Sequence, residues 1–119
     1  MRKLLADRHI RVLWALKTTI QEEPDIEIIG EAMDAERLLK LVNEGNTDLV
    51  FLDQELPGIP LEELHYHLHT LNPRLIEIVI SNDPISCRRM LLTGADAWIR
   101  KEEQPTRLLE MLRRYEERV

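Results

Sequence analysis

The chain predicts an α/β protein built on a doubly wound parallel sheet. Short runs rich in Ile, Leu and Val alternate five times with amphipathic stretches, and that alternation implies parallel strands with helices on both faces. Carboxylates, a hydroxyl and an ammonium stand at the ends of those runs, where ligands of such sheets bind.

The elements follow in order. Lys3–Ala6 suits the first buried strand, and Leu13, Leu16 and Ile20 share one face of the helix after it. Ile26–Gly30 gives the second strand, and Leu38, Leu41 and Val42 form the stripe of a second helix that Asp34 can cap. Leu49–Leu52 is the third strand, followed by a helix with Leu61, Leu64, Leu68 and Leu71 on one face. Leu75–Ile80 is the fourth. Asp83-Pro84 reads as N-cap and first-turn proline of a short-striped fourth helix carrying Cys87, Met90 and Leu91. Ala97–Ile99 completes the sheet, and Leu108, Met111, Leu112 and Tyr115 line the last helix. Pro60 and Pro105 suit first turns, while Gly45 and Gly94 suit helix ends that need a left-handed residue.

Composition narrows the function classes. With 119 residues the chain is one domain. Lys and Arg number 16 against 22 for Asp and Glu, a net charge of −6. A domain that grips nucleic acid directly usually shows the opposite balance, so no direct nucleic-acid contact is expected. No apolar run approaches the ~20 residues of a membrane span, and the N-terminal apolar stretch ends at Asp7, too early for a secretory signal. Cys87 is the only cysteine, so neither a disulfide framework nor a zinc cluster is expected, and a cytoplasmic location is the default.

Asp7 ends the first strand, Asp53 the third and Ser81 the fourth, and the fifth runs into Lys101. Taken singly, each is more often a turn residue, a helix cap or a solvated charge. Four together at one sheet edge are harder to dismiss. Leu4–Ala6 then Asp7, the block Asp48-Leu-Val-Phe-Leu-Asp53-Gln-Glu-Leu-Pro57-Gly58, the run Ile78-Val-Ile-Ser81 and Gly94-Ala-Asp-Ala-Trp98-Ile-Arg-Lys101 resemble the receiver domains of two-component response regulators. Glu23-Pro24-Asp25 and Ile29-Gly30-Glu31-Ala32 extend the resemblance over essentially all of residues 1–119, nearest to receivers that precede LuxR-type output domains.

That resemblance implies a three-layer, flavodoxin-like (βα)5 sheet in strand order 2-1-3-4-5. It implies that Asp53 accepts a phosphoryl group from a histidine kinase or phosphotransfer protein, that Lys101 pairs with the phosphoryl oxygens, and that Ser81 donates to them. Trp98 stands at the aromatic switch position; as a plain strand residue it would be a half-buried aromatic. The resemblance also implies a signalling module rather than an enzyme. It leaves room for an output domain beyond Val119 and for a homodimer through the last helix.

The first strand ends in Asp7-Arg8, where receivers carry two adjacent acids, the second of them a direct magnesium ligand. Arginine removes that ligand and adds a fixed charge; unit charges ~4 Å apart interact by roughly 4 kcal/mol at an effective dielectric of about 20. Two arrangements are expected. Either Arg8 forks onto Asp53 or Asp7 in place of the ion, or it points to solvent and weak Mg²⁺ binding survives through Asp7, Asp53 and Glu55. Asn82, where the family prefers Ala or Gly, and Glu55 beside the incoming phosphate lean toward slow phosphorylation or none. The alternative function is therefore a pseudo-receiver, an interaction module that keeps the fold without the switch. An aspartyl phosphatase using Glu55 as its acid lacks the cap and loops such enzymes need.

Of His65, His67 and His69, only His65 and His69 share a helix face. No third ligand is evident beside them, so a solvated face is expected. The mixed charges of Arg107, Glu110, Arg113, Arg114, Glu116, Glu117 and Arg118 suggest an exposed last helix, and Cys87 a small helix residue.

Overall fold

The computed structural model describes residues 2–23, 27–100 and 106–116. These form strands β1 (Arg2–Ala6), β2 (Glu27–Ala32), β3 (Leu49–Asp53), β4 (Ile76–Ile80) and β5 (Ala97–Ile99). Helices α1 (Ile10–Ile20), α2 (Ala35–Asn43), α3 (Leu61–Leu71), α4 (Pro84–Thr93) and α5 (Thr106–Glu116) alternate with them. The sheet is parallel throughout, in the expected order β2-β1-β3-β4-β5.

The period-two alternation of strands divides the core. Leu5, Leu49, Phe51, Ile78, Ile80 and Ile99 point to one face and pack with Leu13, Leu16 and Ile20 of α1 and Leu108, Met111, Leu112 and Tyr115 of α5. Leu4, Ala6, Val50 and Leu52 point to the other, against Leu38 and Val42 of α2 and Leu64 and Leu68 of α3. Central strands buried on both faces have to read as unbroken apolar runs, as Leu49–Leu52 does.

Several details differ from expectation. β2 runs on to Ala32 because that residue still pairs with Ala6 of β1, and as an edge strand it alternates exposed and covered residues. Ile26 and Pro105 lie outside the described residues. Leu71 is 42% exposed, since α3 ends there and only Leu64 and Leu68 reach the core fully. Pro60 is the N-cap of α3 rather than a first-turn residue; its carbonyl accepts from Leu64 N at 2.9 Å. In α4 Leu91 is 42% exposed and so does not seal a core stripe, while the side chains of Cys87 and Met90 lie outside the description.

The expected helix-end chemistry holds at Asp34, Gly45 and Gly94. Asp34 accepts from Arg37 N at 2.8 Å and caps α2. Gly45 and Gly94 follow α2 and α4 with φ of +91° and +123°, the region that side chains strain to enter. Among the described residues, no helix is long and apolar enough to cross a membrane.

Candidate functional site

Strand register gathers the predicted residues at the carboxyl edge of the sheet. Ala6 pairs with Leu52, so Asp7 and Asp53 follow each other on adjacent strands, roughly 5 Å apart by ordinary strand spacing. Asp53 pairs with Ile80, which puts Gln54 beside Ser81, and Ile80 pairs with Ile99 of β5. Asp7, Asp53 and Ser81 are all buried, at 1%, 1% and 4% exposure. A pocket of about 320 Å³ opens over Asp53, lined by Gln54, Glu55, Ser81, Asn82 and Asp83.

The loops around this pocket are held by backbone chemistry. Asp7 Oδ1 accepts from His9 N at 2.8 Å, turning the chain into α1. Leu56 N donates to Asp53 O, and Ala35 N donates to Pro57 O, which ties the loop after β3 to the start of α2. A Cβ at Gly58, whose φ is +113°, would come within 3.3 Å of the Ala35 Cβ.

Ser81 sits in a network that sequence reading did not foresee. Its hydroxyl donates to Gln54 Oε1 and accepts from Asp83 N at 2.9 Å. Its backbone NH donates to Ile99 O, and its carbonyl accepts from the Trp98 indole NH at 3.0 Å. Trp98 is half-buried, with the Arg100 guanidinium 5.7 Å from its ring centroid. Gln54 could have been suspected from its place directly after Asp53, since an amide there faces whatever follows the neighbouring strand.

Arg8 turns outward, nearer to the solvent-facing course, and meets Glu55 there. Its guanidinium reaches Glu55 Oε2 at 3.4 Å and His9 Nε2 at 3.1 Å, at the rim of the pocket. Both members of the Arg8–Glu55 pair are about half exposed or more, so the pair adds little to stability. It does hold the Glu55 carboxylate beside a cation. Asp7 and Asp53 are the two buried carboxylates at this edge, hard oxygen donors of the type that Mg²⁺ takes. Lys101 lies outside the described residues.

At the far end of β4 a second polar cluster appears. Glu77 is fully buried, and its Oε2 is met by His65 Nδ1 and by His69 Nε2, the latter at 3.3 Å. The expected solvated face is thus turned inward, with His65 and His69 side chains 12% and 26% exposed. The signal was present in the sequence: Glu77 interrupts an otherwise apolar strand, and a buried carboxylate demands partners.

The family model for the response regulator receiver domain matches residues 4–113. The nitrate/nitrite response regulator protein NarL of Escherichia coli (strain K12) is 32% identical over 111 residues, covering 92% of this chain and 51% of that protein. The transcriptional regulatory protein LiaR of Bacillus subtilis (strain 168) is 25% identical, covering 95% and 54%. The chain therefore spans about half the length of these relatives. Among solved structures, the isolated REC domain of RcsB from Salmonella enterica serovar Typhimurium, with phosphomimetic BeF3⁻, superposes with a TM-score of 0.90 at 21% identity, covering 98% of this chain and 88% of that one.

Proposed function

Because this chain belongs to the response regulator receiver domain family, we propose that it is a phosphorylation-dependent signalling module with Asp53 as its phosphoacceptor. The burial of Asp53 at the floor of an open pocket, beside Asp7 and Ser81, is the observation that carries the reading. A histidine kinase or phosphotransfer protein supplies the group. An Asp53 carboxylate oxygen attacks phosphorus, the P–N bond of the phosphohistidine breaks, and the imidazole leaves with its electron pair and takes up a proton. The product is an acyl phosphate on Asp53.

Asp7 and Asp53 would hold Mg²⁺, which supplies charge neutralisation for the incoming phosphoryl oxygens. Glu55, engaged by Arg8, contributes less than it would alone, so metal binding is weakened rather than abolished. Lys101 is assigned to the phosphoryl oxygens on the family resemblance. The Ser81 hydroxyl exchanges Gln54 for a phosphoryl oxygen. Trp98, bonded to the Ser81 carbonyl, feels that exchange directly. The output follows by relayed packing to a partner, or to a transcriptional output segment beyond Val119 of the kind the relatives' names suggest. The net charge of −6 leaves DNA contact to that segment, with this domain cytoplasmic and a homodimer through α5 as its assembly.

Incubation with acetyl phosphate and Mg²⁺, followed by intact-mass measurement, tests the reading. A phosphoryl adduct in the wild type and none in Asp53→Asn is expected. No adduct in the folded wild type would overturn it and leave the chain a phosphorylation-independent interaction module.

A further inference from the structure

We propose that His65, His69 and Glu77 form a binding site for a divalent transition-metal ion of the Zn²⁺ type, separate from the Asp53 pocket. His65 and His69 are four residues apart on α3, so their rings stand one above the other, with centroids 4.4 Å apart. Glu77 reaches them from β4. One ligand atom from each residue lies within 4.8 Å of the other two. Two imidazoles and a carboxylate make a donor set for zinc, with the fourth tetrahedral position left to water. A surface pocket of about 400 Å³ lined by Glu62, His65, Tyr66, His69 and Thr70 gives that water and the ion their approach.

Two imidazole–carboxylate hydrogen bonds explain only half of the arrangement. Both rings converge on Glu77 Oε2, while Glu77 Oε1, equally buried, has no hydrogen-bond partner. A cation among the three residues would meet both imidazole nitrogens and the carboxylate together, replacing protons that serve a single oxygen.

The surroundings fix the donors as a ligand set requires. Glu77 is bracketed by Asp96, whose Oδ2 accepts from Glu77 N at 2.8 Å and whose NH donates to Glu77 O at 2.9 Å. The other ring nitrogen of His65 lies over Gly94, in the space where an added Cβ would come within 2.7 Å of Nε2. Nδ1 is thereby left as the donor that faces Glu77. Ser81 lies four residues further along the chain, just past the end of β4, roughly 13 Å away at ordinary strand rise, so the two sites do not share a ligand.

Equilibrium dialysis of the chain against Zn²⁺, followed by metal analysis, reads the site. One saturable equivalent is expected in the wild type and in His67→Ala, whose imidazole pairs with Glu63 elsewhere on the helix. His69→Ala should bind at least about tenfold more weakly, because losing even an outer-shell partner costs that much. His69 is partly exposed and alanine suits a helix, so this variant keeps the test independent of folding, as Glu77→Gln does not. Co²⁺ should give the visible bands of a low-coordinate site, absent in His69→Ala. No saturable equivalent, an equivalent undiminished by His69→Ala, or equal competition by Mg²⁺ would each overturn the proposal.

Discussion

Arg8 and Ser81 show how much a single side chain can alter in a site whose backbone is conventional. Arg8 brings a positive charge to the place where an acid would hold magnesium, yet the charge is spent at the rim on Glu55. Replacing it with Asp removes the guanidinium and returns an oxygen donor next to Asp7. Arg8→Asp should tighten Mg²⁺ binding by at least about tenfold, ~1.4 kcal/mol. That is a fraction of the ~4 kcal/mol that close unit charges exchange at an effective dielectric of about 20. A magnesium titration followed by calorimetry checks it; an unchanged affinity would mean that Arg8 does not govern the metal. None of this was legible beyond the substitution itself, because the reach of a long side chain depends on which neighbour answers it. The sequence offered Asp53 and Asp7 as partners for Arg8, and only the folded loop shows that Glu55 answers it instead. Likewise, Gln54 as partner of the Ser81 hydroxyl follows from strand register rather than from any motif.

Elements were legible in proportion to how fully the core claims them. β3 and β4 sit in the middle of the sheet, and their apolar runs marked them to within a residue. β2, an edge strand covered on one side, was placed too early at its end because the exposed Glu31 breaks the apolar run before Ala32, which is buried and still pairs with Ala6. α4 was faint in sequence, and the apolar side chains described in it, Ile85, Leu91 and Leu92, are exposed rather than held to a core-facing period. Capping was read correctly at Asp34, whose carboxylate accepts from Arg37 N. Asp34→Ala should cost about 1 kcal/mol of unfolding free energy in a denaturant titration. A loss near zero would mean that packing of Leu38 and Val42, not the cap, holds the start of α2. The histidine face of α3 was misread because Glu77, twelve residues from His65, is brought beside it only by the strand that follows.

At the scale of the molecule, one sheet carries two polar sites on a common strand. β4 leads from Glu77, against α3, toward Ser81 beside the Asp53 pocket; between them Ile78 and Ile80 belong to the core under α1 and α5, and Val79 packs with Ala95, Leu61 and Trp98. Strand alternation, sheet order and the carboxyl-edge gathering of Asp7, Asp53 and Ser81 were all readable beforehand, since topology dictates them. The proposed function rests on one covalent event at the floor of the Asp53 pocket. The measurement that addresses it most directly is borohydride reduction of the acetyl phosphate-treated chain, followed by peptide mass mapping. An acyl phosphate on Asp53 would appear as homoserine at that position alone. Unmodified Asp53, or reduction confined to Asp7 or Glu55, would contradict the account.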